Sequence, residues 1–151
     1  MIVRIHRLTL ILAATGWIVL TPPVQAESPD NAAFLGQWLS KDKDAVYDMR
    51  NCAAGLCGTL VGTKPHLQKD SKPNVGCGRE VLTLVNWDGA KQRWEGKVME
   101  PESNKKYAVT LESKNGAPLM KVSWGLMSFS ESWTRFSGSV SPQCEIKVAA
   151  Q

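Results

Sequence analysis

An all-β fold, a single eight-stranded antiparallel up-and-down barrel, is what this sequence predicts, and three observations predict it. Eight runs of six to eight residues have strand-like composition, and turn chemistry separates most of them. No window after residue 26 sustains a 3.6-residue apolar period. The first run opens on Gly36-Gln37-Trp38 and the last closes on Trp133-Thr134-Arg135, a pairing that makes sense if the two ends meet.

The elements follow in order. Residues 1–26 have the form of a secretory signal: a basic start with Arg4 and Arg7, an apolar run from Leu8 to Leu20, then TPPVQA with Val24 and Ala26 at the positions that precede a cut. The apolar run is short for a bilayer core of about 30 Å, so cleavage after Ala26 is expected rather than anchoring. The domain then spans 27–151, exported to the periplasm or secreted, with no transmembrane segment. SPDNAA can form at most a helical turn. The strand runs are 34–39, 45–50, 56–62, 80–87, 93–100, 106–113, 118–125 and 130–136. Alternation is clear in RWEGKVME, where Trp94, Gly96 and Val98 oppose Glu95 and Lys97, and in KYAVTLES, where Tyr107, Val109 and Leu111 share a face. The turns SKDKD, NCAAG, DGAKQ, PESNK and KNGA are short and rich in Gly, Asp, Asn or Pro. Only the connection 63–79 is long, and it holds two prolines and His66.

A sandwich and a barrel both accommodate eight short strands, but closure removes the edges that invite aggregation. In a barrel, Gly36 lets the first strand bend, Trp38 plugs the narrow end, and Arg135 lays its guanidinium over the indole. Such a cation–π contact contributes about 0.5–2 kcal/mol. An eight-stranded interior holds side chains or one small ligand.

Cys52, Cys57, Cys77 and Cys144 all follow the signal, and an even count in an exported chain points to disulfides. Three pairings are possible. The short AAGL turn can bring Cys52 within reach of Cys57, which favours Cys52–Cys57 with Cys77–Cys144 among the three. By loop entropy the first bridge contributes roughly 2 kcal/mol and the second roughly 4. A four-thiolate zinc site would want two close pairs, and only one exists. No metal and no cofactor are expected.

Loss of Arg4 and Arg7 lowers the net charge from +4 to +2, and the remaining Lys and Arg are interleaved with 14 acids. A nucleic-acid partner would require clustered basic residues. His66 is the only histidine beyond the signal, no Gly-x-Ser-x-Gly elbow exists, and no Gly-rich phosphate loop appears. Glu100 and Glu102 flank Pro101 as turn acids rather than a facing carboxylate pair. An enzyme is therefore not expected. Trp87, Trp94, Tyr107 and Trp124 are the candidates for lining a ligand pocket, although tryptophans of a small barrel equally serve as its core.

The Gly36-Gln37-Trp38 start with Arg135 resembles the signature of the lipocalin and calycin superfamily. A fuller resemblance runs along GQW, Cys52 with LCG at 56–58, Asp70 and Asn74 in the long connection, CGREVL at 77–82, WEGKV at 94–98, Glu100-Pro101, KKY at 105–107 and SESWTR at 130–135. In these blocks the chain resembles DUF2147, a bacterial family of small exported proteins, which implies a lipocalin-like barrel and no established activity. Where that family reads tyrosine, aspartate and glycine around this hairpin, the chain has Met99, Glu100 and Asn104. Its Arg-Gly pair before the last hairpin is replaced by Ser123-Trp124. The function expected on these grounds is binding of a small apolar or amphipathic molecule. The rival is a protein-interaction module, inhibitor-like or envelope-associated, using the 63–79 loop and the barrel rim.

Overall fold

A computed structural model describes residues 30–64 and 76–147. Gly36 is the first residue committed to the sheet. The alternating runs pair as successive antiparallel hairpins: β1 (Gly36–Leu39), β2 (Ala45–Cys52), β3 (Gly55–Thr63), β4 (Glu80–Asp88), β5 (Arg93–Met99), β6 (Lys106–Lys114), β7 (Ala117–Trp124) and β8 (Met127–Ser132). β9 (Thr134–Arg135) follows at once and pairs with β1, through Trp38 opposite Arg135 and Leu39 opposite Thr134. The result is a nearly closed antiparallel barrel, as the strand pattern predicts. Among the described residues there is no α-helix, only a 3-10 turn at Asn31–Ala33 capped by the Asp30 carboxylate.

The eighth expected strand, 130–136, differs in detail. It starts earlier, at Met127, and breaks at Trp133. The physical reason is the seam. Trp133 donates its N–H to Pro118 O on β7, and one residue later the chain pairs with β1 instead. One stretch thus hands its hydrogen bonds from one neighbour to the other, and β1 is too short to meet all of β8.

Period-two packing places the core inside. Trp38, Met49, Leu56, Leu82, Leu84, Trp94, Val109, Leu111, Met120, Val122 and Trp133 are all buried in one cluster with Phe34. Glycine is required where β5 approaches the β4 backbone most closely at Gly96. A Cβ on Gly96 would lie 2.0 Å from Thr83 O and 2.7 Å from Leu84 Cα. Beside it the β4–β5 register slips between Leu84 and Asn86, a bulge that bends the strand.

The sequence reading did not foresee the tail. β10 (Ser139–Val140) and β11 (Ile146–Lys147) form a separate two-stranded sheet. Two-residue strands carry no periodic signal. Val140 and Ile146 lie against Gly62 beside Val46, so this small hairpin covers the outer face of β2 and β3. Both disulfides form as the spacing favours, Cys52–Cys57 and Cys77–Cys144, and the second ties the tail to the approach to β4.

Candidate functional site

The two ends of the barrel are built from different residues. At one end lie the β2–β3, β4–β5 and β6–β7 turns, and here the chain shuts the barrel. The 3-10 turn supplies Asn31, whose amide accepts from the Trp94 indole N–H at 3.0 Å and donates to Asn51 Oδ1 at 2.6 Å. Trp87 packs on Trp94 with ring centroids 5.6 Å apart. Trp38 is buried, and its indole N–H donates to Phe34 O at 2.7 Å. Arg135 lies 4.0 Å above that ring and donates to Leu35 O at 2.7 Å. Gly36 has φ +100°, and a side chain there would strike the Arg135 guanidinium at 2.6 Å. Glycine therefore makes room for the arginine as well as bending the strand. Trp87 and Trp94, two of the four aromatic candidates, belong to this closed end.

The other two, Tyr107 and Trp124, meet at the opposite end. With Val122, Phe129 and Glu100 they line a cavity of about 240 Å3. Trp124 and Phe129 face each other at 6.1 Å with planes inclined by 57°. The β7–β8 turn explains their position. Trp124 pairs with Met127 across a two-residue turn, and Gly125 supplies the left-handed φ of 57° that the turn requires. That turn lifts Leu126 fully into solvent, with Met127 and Phe129 also exposed. Apolar side chains gathered in solvent at a rim are a candidate binding surface. A larger concavity of about 660 Å3 lies on the outside of β4–β7, where charged side chains of both signs, Glu80, Glu95, Lys97 and Lys106, are interspersed with Val81, Val85 and Met99.

The family-motif turn residues also have structural partners. Pro101 packs against Gly76, where a Cβ would come within 2.4 Å of it, and its carbonyl accepts from Arg79 at 3.2 Å. Arg79 also donates to Asn104 Oδ1 at 2.7 Å. Asn104 has φ 56°, so asparagine both tolerates the turn and binds the arginine. The CGRE and EP blocks, distant in sequence, are thereby joined on one rim. Asp70, Asn74 and His66 lie outside the described residues, as do residues 1–26, where a signal segment is expected.

One polar group inside the barrel was missed from the sequence. Glu131 alternates with Trp133, which places it on the inward face of β8, and period two alone could have found it. Its carboxylate accepts from the Trp133 indole N–H at 2.5 Å. Tyr47 stacks on Trp133 at 4.7 Å. Burial holds the Glu131 carboxyl above its ordinary range; the Trp133 hydrogen bond opposes this, Asp44 and Asp42 add to it, and Lys41 pulls back. The Tyr47 phenol is raised more strongly, by burial first and then by Glu131 and Asp44.

A pH dependence follows for Tyr47. An unfolded tyrosine loses its proton near pH 10, whereas the native phenol still holds it. The native state then binds more protons than the unfolded one, so stability falls as pH rises through about 10. Tyr47→Phe is expected to flatten that alkaline fall relative to wild type, read from urea unfolding at pH 8 to 10.5. Parallel curves for the two proteins would refute the account.

No group of three or more His, Cys, Asp or Glu side chains able to hold a metal occurs among the described residues. No helix there is long and apolar enough to cross a membrane. A family model described as an uncharacterised protein conserved in bacteria (DUF2147) matches residues 36–135. No curated protein and no solved structure matches the chain.

Proposed function

Because the chain belongs to the DUF2147 family of bacterial proteins, whose description assigns no activity, we propose a function from its geometry: an exported, periplasmic, non-enzymatic barrel that binds a small apolar or amphipathic molecule at its open end. The observation that carries this reading is the cavity between Tyr107, Val122, Trp124 and Phe129, with exposed apolar side chains at its lip. The barrel below is filled by its own core, so the ligand sits in the mouth rather than deep within. A volume of about 240 Å3, open at the lip, suits one small apolar molecule.

The neutral fluorescent probe N-phenyl-1-naphthylamine tests it. Saturable binding is expected, displaced by members of a panel of apolar and amphipathic molecules and lost in the Trp124→Ser, Phe129→Ser double variant. Absent binding, or equal binding by the variant, would overturn the reading. A second reading, engagement of an envelope protein by the rim and the 63–79 connection, is favoured by Leu126 and Met127 standing in solvent at the hairpin tip. Capture of a periplasmic partner that is lost on Leu126→Ser, with no probe binding, would select it.

A further inference from the structure

We infer that the molecule taken at the open end is an organic cation: an alkylammonium whose charged head sits among Tyr107, Trp124 and Phe129, against the carboxylate of Glu100. This deepens the function proposed above and rests on the same pocket being the binding site.

Three observations point to this chemistry. Three aromatic side chains line one cavity, and the negative faces of aromatic rings attract a cation. Among the described residues, Glu100 is the only charged side chain that lines this cavity. Glu131 occupies the next inward position beyond Phe129 on β8, since Phe129 is opposite Val122 and Glu131 opposite Met120. The charge that lines the pocket among the described residues is thus the Glu100 carboxylate, with Glu131 one rung deeper on the same face of β8.

Neither carboxylate is already neutralised. Glu100 accepts a hydrogen bond from the Ser103 hydroxyl and Glu131 accepts from Trp133, but among the described residues neither forms an ion pair. Lys41 acts on Glu131 without forming an ion pair with it, and two other basic groups of this end have other partners or positions. Arg79 is held by Pro101 O and Asn104 Oδ1, and Lys106 lines the outer groove. A fatty-acid carboxylate in the pocket would face Glu100 without a counter-charge, an arrangement that like-charge repulsion rejects. An ammonium head gains both the ring faces and the carboxylate, while its alkyl tail follows Val122 and the exposed apolar lip.

Matched probes with one tail length and different heads test this: octyltrimethylammonium, octanoate and octyl glucoside, each below its micellar concentration, titrated by calorimetry into the full mature chain. The cation is expected to bind about tenfold more tightly than the other two. Glu100→Gln and, separately, Trp124→Leu should each reduce cation affinity about fivefold more than they reduce octyl glucoside affinity. Both side chains are exposed, so neither variant threatens folding, and far-ultraviolet circular dichroism verifies it. Equal affinity for the three heads, or preference for octanoate, overturns the cation inference and leaves the binding function standing. Failure of all three probes and of N-phenyl-1-naphthylamine overturns both.

Discussion

Replacing Trp38 with alanine is expected to lower the folding free energy by about 3–5 kcal/mol, the usual cost of removing a large buried aromatic side chain. Several losses coincide at this position. The ring is 2% exposed, so its removal opens a cavity in the core. Phe34 O loses its indole donor, and Arg135 loses the surface on which it rests. The damage also falls on the seam, because β1 meets β9 through only two residue pairs, Trp38 with Arg135 and Leu39 with Thr134. Trp38→Phe separates the terms. It retains most of the apolar ring but has no N–H, and a loss of about 1–2 kcal/mol is expected. Urea unfolding monitored by far-ultraviolet circular dichroism, with disulfides intact, reads both. A loss below about 1 kcal/mol for Trp38→Ala would show that the seam does not depend on this side chain.

Gly96→Ala is expected to be nearly as damaging, at about 3 kcal/mol or more, or to prevent folding outright. The added methyl would lie 2.0 Å from Thr83 O, and its next neighbours are also backbone atoms of β4. A flexible side chain could swing aside, but a paired strand cannot. Accommodation therefore requires β4 and β5 to part where they bend together. Gly89→Ala is the control. Its nearest neighbour would be Trp87 Nε1 at 3.6 Å, an ordinary contact, and a change within about 0.5 kcal/mol is expected. Equal stability of the Gly96 and Gly89 variants would refute the close-approach account.

These two positions differ in how legible they are. Trp38 is readable from the chain: a Gly-x-Trp start and a late Trp-x-Arg imply that the termini of the sheet meet. Gly96 is readable only as a gap in an inward-facing series, Trp94, Gly96 and Val98. Nothing local says that a carbonyl from β4 occupies the space, because that carbonyl is brought there by a bulge 12 residues upstream, between Leu84 and Asn86. The aromatic candidates show the same division. Composition picks out Trp87, Trp94, Tyr107 and Trp124 together, yet the fold sends the first two to the closed end and the last two to the mouth. Phe129 joins them because a two-residue turn at Gly125 folds β8 back on β7.

The sequence by itself determined the strand runs of the barrel and their antiparallel succession, and favoured the disulfide pairing that forms. These rest on alternation, turn chemistry and short-range reach, which are properties of neighbouring residues. Only the tertiary structure decided which end of the barrel is shut, that Glu131 stands on an inward rung beyond the mouth, and that the tail covers β2 and β3. Those outcomes depend on how far each strand slides past the next. A shift of two residues preserves every inward and outward assignment while moving each side chain along the barrel, so the periodicity that reveals a strand is silent about its height.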